Sequence, residues 1–233
     1  MPLKRIYGSS YPVIYDSWES SGKQWVIQDL APEDDAAAMQ ILKDNLIPDE
    51  ALCACVRLAE DPESVEGMEK FWWVCLAQRM SLGCYEVVNG KKTLVALNVC
   101  VADTIEERVP NVEIEGFAWK QVYGGLEFIE LKCDPFKYLG LDKILHALGL
   151  VVKKEYRGEK LGSRILAARE PLCRSQGLKA TATVFTGPAS QKSAARAGFE
   201  TICVASFKEL ADSGLKFPPD EERVIKLMVK RFE

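Results

Sequence analysis

Residues 143–166 read KILHALGLVVKKEYRGEKLGSRIL: an apolar run, a polar turn with two glycines, and a stretch of helical periodicity. This pattern constrains the fold more than any other in the chain. The apolar run predicts a strand, Leu161 to Ser175 a helix closed by Gly177, and ATATVF a second strand. Strand, helix and strand in that order make a crossover that lays the helix on one face of a sheet. The turn has its own consequence. Backbone N–H groups gathered at a helix N-terminus, with the helix dipole behind them, attract a pyrophosphate. Gly158 permits an unusual backbone angle and Gly162 a close approach. Arg157 and Lys160 add positive charge.

The rest of the chain supplies the other elements. Gln24 to Asp29 alternates as a strand. Pro32 followed by three acids, Glu33, Asp34 and Asp35, opens a first helix. A second helix is expected over 49–58, and a third from Pro62, carrying Phe71, Trp72 and Trp73. Asn89-Gly90 joins two β-rich runs as a hairpin. A loop near 103–112 leads to a helix around Trp119 to Leu131. After ATATVF come a short helix ended by Gly198, the strand FETICVASF and a last strand RVIKLMVKR. Residues 1–22, rich in Ser, Tyr and Gly, are expected as an arm of low order, and 23–233 as a single domain. The fold class expected is α/β (α+β), one mixed sheet with helices on both faces.

Charge and composition exclude several functions. The net charge is −4 and no basic stripe exists, which argues against nucleic acid. The short cluster Lys153, Lys154, Arg157 and Lys160 is flanked by Glu155 and Glu159 and suits one phosphate-rich ligand. No apolar run is long enough to span a membrane, and the N-terminus lacks a signal-peptide stretch, so a cytoplasmic protein is expected. The eight cysteines form no C-x-x-C and are read as free thiols. His146 is the single histidine, so no metal site is expected. No G-x-S-x-G elbow accompanies it, which leaves a hydrolase unsupported.

The run from Val152 to Gly162, with Arg157 and Gly162 at its ends of contact, resembles the R/Q-x-x-G-x-G/A acetyl-CoA signature of the GNAT superfamily. Lys160 stands where the central glycine is usual. SAARAGF, ending at Phe199, resembles the next motif of that superfamily. Pro32-Glu33-Asp34, Asp49-Glu50-Ala51-Leu52 and the Phe207, Gly214 and Phe217-Pro218-Pro219 group are similar to the insect arylalkylamine N-acetyltransferases. Ala51 replaces the proline of their D-E-P-L motif. The resemblance covers roughly residues 24–231 and implies the GNAT acyl-CoA N-acyltransferase fold.

It also implies an enzyme that moves acetyl from acetyl-CoA to a small-molecule amine, directly and in a ternary complex. The enzyme is expected to act as a monomer. Glu50 takes the place of the general base, acting through water. Thr186 and Ser190 hold the positions of two family serines, Ser190 also as a contact to the pantetheine or its sulfur. The cofactor site implied comprises Leu150, Val151, Val152, Arg157, Gly158, Glu159, Lys160, Leu161, Gly162, Ser163 and Ser190. Glu50, Asp49 and His146 are the residues expected near the amine. Two other readings stay open: a CoA-binding protein without catalysis, and an acetyltransferase for polyamine or protein lysine.

Overall fold

The computed structural model describes residue 5, residues 7–106 and residues 112–232. Eight strands build one sheet: β1 (Ile14–Ser20), β2 (Lys23–Asp29), β3 (Leu82–Val88), β4 (Lys91–Thr104), β5 (Lys143–Val152), β6 (Ala180–Phe185), β7 (Glu200–Ser206) and β8 (Val224–Arg231). Their order across the sheet is β1-β2-β3-β4-β5-β6-β8-β7. Neighbours run antiparallel except β5 and β6, the pair joined by the expected crossover. The helices are α1 (Asp35–Ile41), α2 (Ala51–Cys55), α3 (Pro62–Ala77), α4 (Phe117–Lys132), α5 (Pro135–Leu139), α6 (Leu161–Ser175), α7 (Pro188–Arg196) and α8 (Phe207–Asp212). This is one mixed sheet covered on both faces, the expected fold class.

Alternation along the strands sorts residues to two cores. Val99 and Val101 of β4 face α1, α3 and α4, where Met39, Phe71, Trp72 and Trp119 are buried. Cys100 and Ala102 face the other way, onto Ile165 and Leu172 of α6. A smaller cluster of Leu166, Phe185, Ala194, Phe199 and Met228 seats α7 beside α6. Each such aliphatic or aromatic side chain contributes about 1.5–3 kcal/mol by leaving water. The Asn89-Gly90 turn has the two positive φ angles it needs, 50° and 76°.

The N-terminal segment corrects the expectation of a low-order arm over 1–22. Residues 14–20 are the edge strand β1, joined to β2 by Ser21 and Gly22 with φ of 54° and 72°. That Ser-Gly pair is the hairpin signal a polar composition conceals. Arg5 is buried and grips both carboxylate oxygens of Asp29, and Tyr15 donates to the same carboxylate at 2.9 Å. Residues 1–4 and 6 of the expected arm, and 107–111 of the expected loop, lie outside the described residues. Two short helices, α5 and α8, escape the sequence reading because each is under two turns. No helix among the described residues is long and apolar enough to cross a membrane.

Candidate active site

The site begins where β5 and β6 part. They pair at only two positions, Leu145 with Thr181 and His146 with Ala182. Beyond these, β5 follows β4 and β6 follows β8. The β4–β5 register also slips: Asn98 faces Leu150, but Cys100 faces Ala147. Leu148 and Gly149 therefore share the place opposite Val99, a β-bulge. Gly149 takes φ of 140°, a region that favours glycine. The carbonyl of Leu148 accepts from the Trp72 indole at 2.9 Å, and that of Gly149 from the Asn98 amide at 2.7 Å. The bulge is thus pinned from both faces of the sheet. Past the last pair with β6, residues 147–152 present the edge that faces away from β4, with no strand partner on that side among the described residues, onto a cavity of about 580 Å³.

One wall of the cavity is the turn between β5 and α6. Arg157, Gly158, Lys160, Leu161 and Gly162 line it. Gly158 has φ of 96° and Lys160 has φ of 60°. Lys160 therefore keeps the left-handed backbone of the glycine it replaces, at a cost of about 1–2 kcal/mol. It stands at the N-cap of α6 and makes no side-chain cap, so side chains leave the first N–H groups of that helix unclaimed. The start of α7 opens onto the same cavity through Gly187, Pro188, Ala189 and Ser190. Ser190 Oγ donates to the Gly187 carbonyl at 2.9 Å. Glu159 and Ser163 do not line the cavity, in contrast to their neighbours. Ser163 Oγ is buried and has no hydrogen-bond partner among the described residues.

The acid stands across the mouth. Glu50 is the N-cap of α2 and accepts from the N–H groups of Leu52 at 3.1 Å and Cys53 at 2.8 Å. The Thr186 hydroxyl donates to Glu50 Oε1. Three donors from two elements fix this carboxylate, and the pairing of Glu50 with Thr186 spans 136 residues. Burial pushes the thiol of Cys53 up, and the adjacent Glu50 adds to the shift. Ala51, in place of a proline, sits 3.8 Å from where a Cβ on Gly187 would be. Asp49 lines the cavity and pairs with Arg157 at 2.8 Å, tying the α2 turn to the turn between β5 and α6.

The inner end is apolar, with one charged cluster. Met68, Phe71, Trp119, Val122 and Leu126 line it. Phe71 and Trp119 meet edge to face at 5.4 Å, and the buried Trp119 N–H has no partner among the described residues. His146 is 6% exposed and lies between Asp103 at 3.1 Å and Glu130 at 3.0 Å. Burial pushes its pKa down, but the two carboxylates outweigh burial and hold it at about 10. It is an imidazolium at neutral pH, occupied on both nitrogens, and not a free base. Sequence separation hid this arrangement, since Asp103 lies 43 residues from His146.

A second charged group escaped the sequence reading. Arg169 is fully buried on α6, on the apolar stripe of Leu161, Ile165 and Leu172. A charged residue on such a stripe was the available signal.

No family model matches the chain, and no curated protein matches it. Solved structures do. A protein of the yellow fever mosquito Aedes aegypti assigned as arylalkylamine N-acetyltransferase 7 shares 28% identity over 99% of this chain and 100% of its own, with a TM-score of 0.91. Arylalkylamine N-acetyltransferase 2 of the same mosquito is 19% identical over 90% and 99% of the two chains, with a TM-score of 0.76. A polyamine N-acetyltransferase of Drosophila melanogaster that forms N-acetylagmatine is 17% identical over 89% and 100%, with a TM-score of 0.71. These last two show the fold. The parted strands, the glycine turn and the mosquito likeness together make this chain an acyltransferase of the GNAT fold that resembles the insect arylalkylamine N-acetyltransferases.

Proposed function

We propose that the chain transfers the acetyl group of acetyl-CoA to the primary amine of a small, arylalkylamine-like substrate, by direct attack in a ternary complex. The observation that carries this reading is one cavity lined by Glu50, by the free edge of β5 and by the turn 157–162. The turn offers uncapped helix N–H groups, Arg157 and Lys160 to a pyrophosphate. The open edge at Leu150, Val151 and Val152 suits an extended pantetheine arm, added like a strand. Arg157 leaves Asp49 to reach a phosphate, which links cosubstrate binding to the α2 turn that carries Glu50.

Alkylamines carry pKa values near ~10, so the substrate arrives as an ammonium. Glu50 accepts a proton from it through water, and Thr186 holds the carboxylate in place. The amine nitrogen then attacks the thioester carbon, forming the C–N bond. Backbone N–H groups of β5 steady the oxyanion. The oxyanion collapses and the C–S bond breaks, the second amine proton passes to the departing thiolate, and the products are the N-acetylamine and CoA thiol. Ser190, at the start of α7, lies on the wall of this cavity near the incoming sulfur.

The inner end supports an aromatic or apolar tail. Met68, Phe71, Trp119, Val122 and Leu126 give it an apolar, partly aromatic lining. This end fits a small arylalkylamine better than the extended chain of a protein lysine. The proposal places one acetyltransferase domain that takes in β1 as well as the expected 23–233, working in the cytoplasm as a monomer. A panel of aryl, alkyl and polyamine substrates, with release of CoA thiol as the readout, tests it. Amine-dependent release favouring arylalkylamines is expected; no release with any amine contradicts it.

A further inference from the structure

Arg169 sits directly behind the place where β5 and β6 separate, and its surroundings are unusual for a buried cation. Its relative exposure is 0%. Nε donates to Asn98 Oδ1 at 2.8 Å, and Nη1 to Thr181 Oγ1 at 3.1 Å and Thr183 Oγ1 at 2.8 Å. Nη2 has no hydrogen-bond partner among the described residues, and the guanidinium carbon lies 5.5 Å from the centroid of the Phe199 ring. Every acceptor is neutral: an amide and two hydroxyls, with the thiols of Cys100 and Cys173 nearby. Buried charges are normally paired, because leaving water is costly. A guanidinium cannot escape by losing its proton.

The acceptors locate what the charge does. Asn98 turns its amide N–H₂ to the Gly149 carbonyl, the outer half of the bulge. Thr181 donates to the Leu145 carbonyl at 2.8 Å, at one of the two β5–β6 pairs. Thr183 lies one step past the last pair and lines the cavity. One guanidinium therefore bonds side chains of β4 and β6 that hold β5 on either side of the split. We propose that Arg169 is a positioning residue, which fixes the geometry of the β5–β6 split and keeps an unpaired positive charge behind the site of acyl transfer. A fixed charge in a dry interior favours the negative oxygen that develops on the thioester carbonyl. The proposal rests on the acetyl-transfer reading.

Arg169→Met separates this role from simple structural support. Methionine fills the volume, and Asn98 Oδ1 keeps the Cys100 thiol as a donor, while both threonines keep their carbonyl acceptors. Replacing a poorly paired buried charge by an apolar side chain is often neutral or stabilising. The expected result is a thermal midpoint equal to or above wild type, an acetyl-CoA affinity near wild type, and a kcat lower by about tenfold to a hundredfold. Arg169→Lys, which keeps the charge, recovers part of kcat. A folded Met variant with wild-type kcat overturns the proposal. So does a Met variant that unfolds or melts lower, because that makes Arg169 a structural residue. If wild type turns over no amine, the function reading fails, and the melting comparison still decides whether Arg169 is retained at the expense of stability.

Discussion

His146 shows how a single side chain changes character when its neighbours are known. From the sequence it is a histidine in an apolar strand. In the fold it is a buried imidazolium between Asp103 and Glu130, with its pKa raised to about 10. A group whose folded pKa exceeds its ordinary value of 6.5 stabilises the fold fully below pH 6.5. That contribution is lost as pH rises toward 10. Thermal melts across this range should show a midpoint that falls with rising pH, and His146→Gln should flatten the decline. A wild-type midpoint that climbs from pH 7 to 10 contradicts the assignment. Glu50 differs in kind: its carboxylate stands on the cavity and is placed by Leu52, Cys53 and Thr186.

At the scale of elements, the turn between β5 and α6 was legible because its chemistry is local. Gly158, Gly162, Arg157, Lys160 and the start of a helix all stand within residues 157–162. Lys160 illustrates the limit of that legibility. The sequence shows a missing glycine; the fold shows that the backbone angle is kept all the same. Lys160→Gly should therefore raise stability by about 1 kcal/mol, since glycine adopts this conformation without strain. It should also weaken acetyl-CoA binding by removing one cation from the phosphate site. Denaturant melts and calorimetry measure both effects; a variant that is less stable and binds more tightly contradicts them. β1 was missed for a different reason. Its outward residues are polar, and its stability comes from pairing with β2 and from Arg5 on Asp29, contacts that no window of sequence contains.

At the scale of the molecule, the cleft exists because one sheet divides. β5 leaves β6 after two pairs, and the bulge at Leu148 and Gly149 turns the free edge outward. Alternation and turn signals predicted the strands and their crossover, but not where two parallel strands stop pairing. That depends on Trp72, Asn98 and Arg169, which converge from α3, β4 and α6. The same division sets Glu50, more than a hundred residues before the turn, on the wall opposite it. In the proposed reaction this wall supplies the base for acetyl transfer from the cosubstrate held at the turn. Steady-state kinetics of Glu50→Gln beside wild type, with acetyl-CoA affinity measured by calorimetry on both, tests it most directly. The expected kcat/KM of the Gln variant is lower by about a hundredfold or more, at unchanged acetyl-CoA affinity. Equal kcat/KM in the two proteins contradicts it.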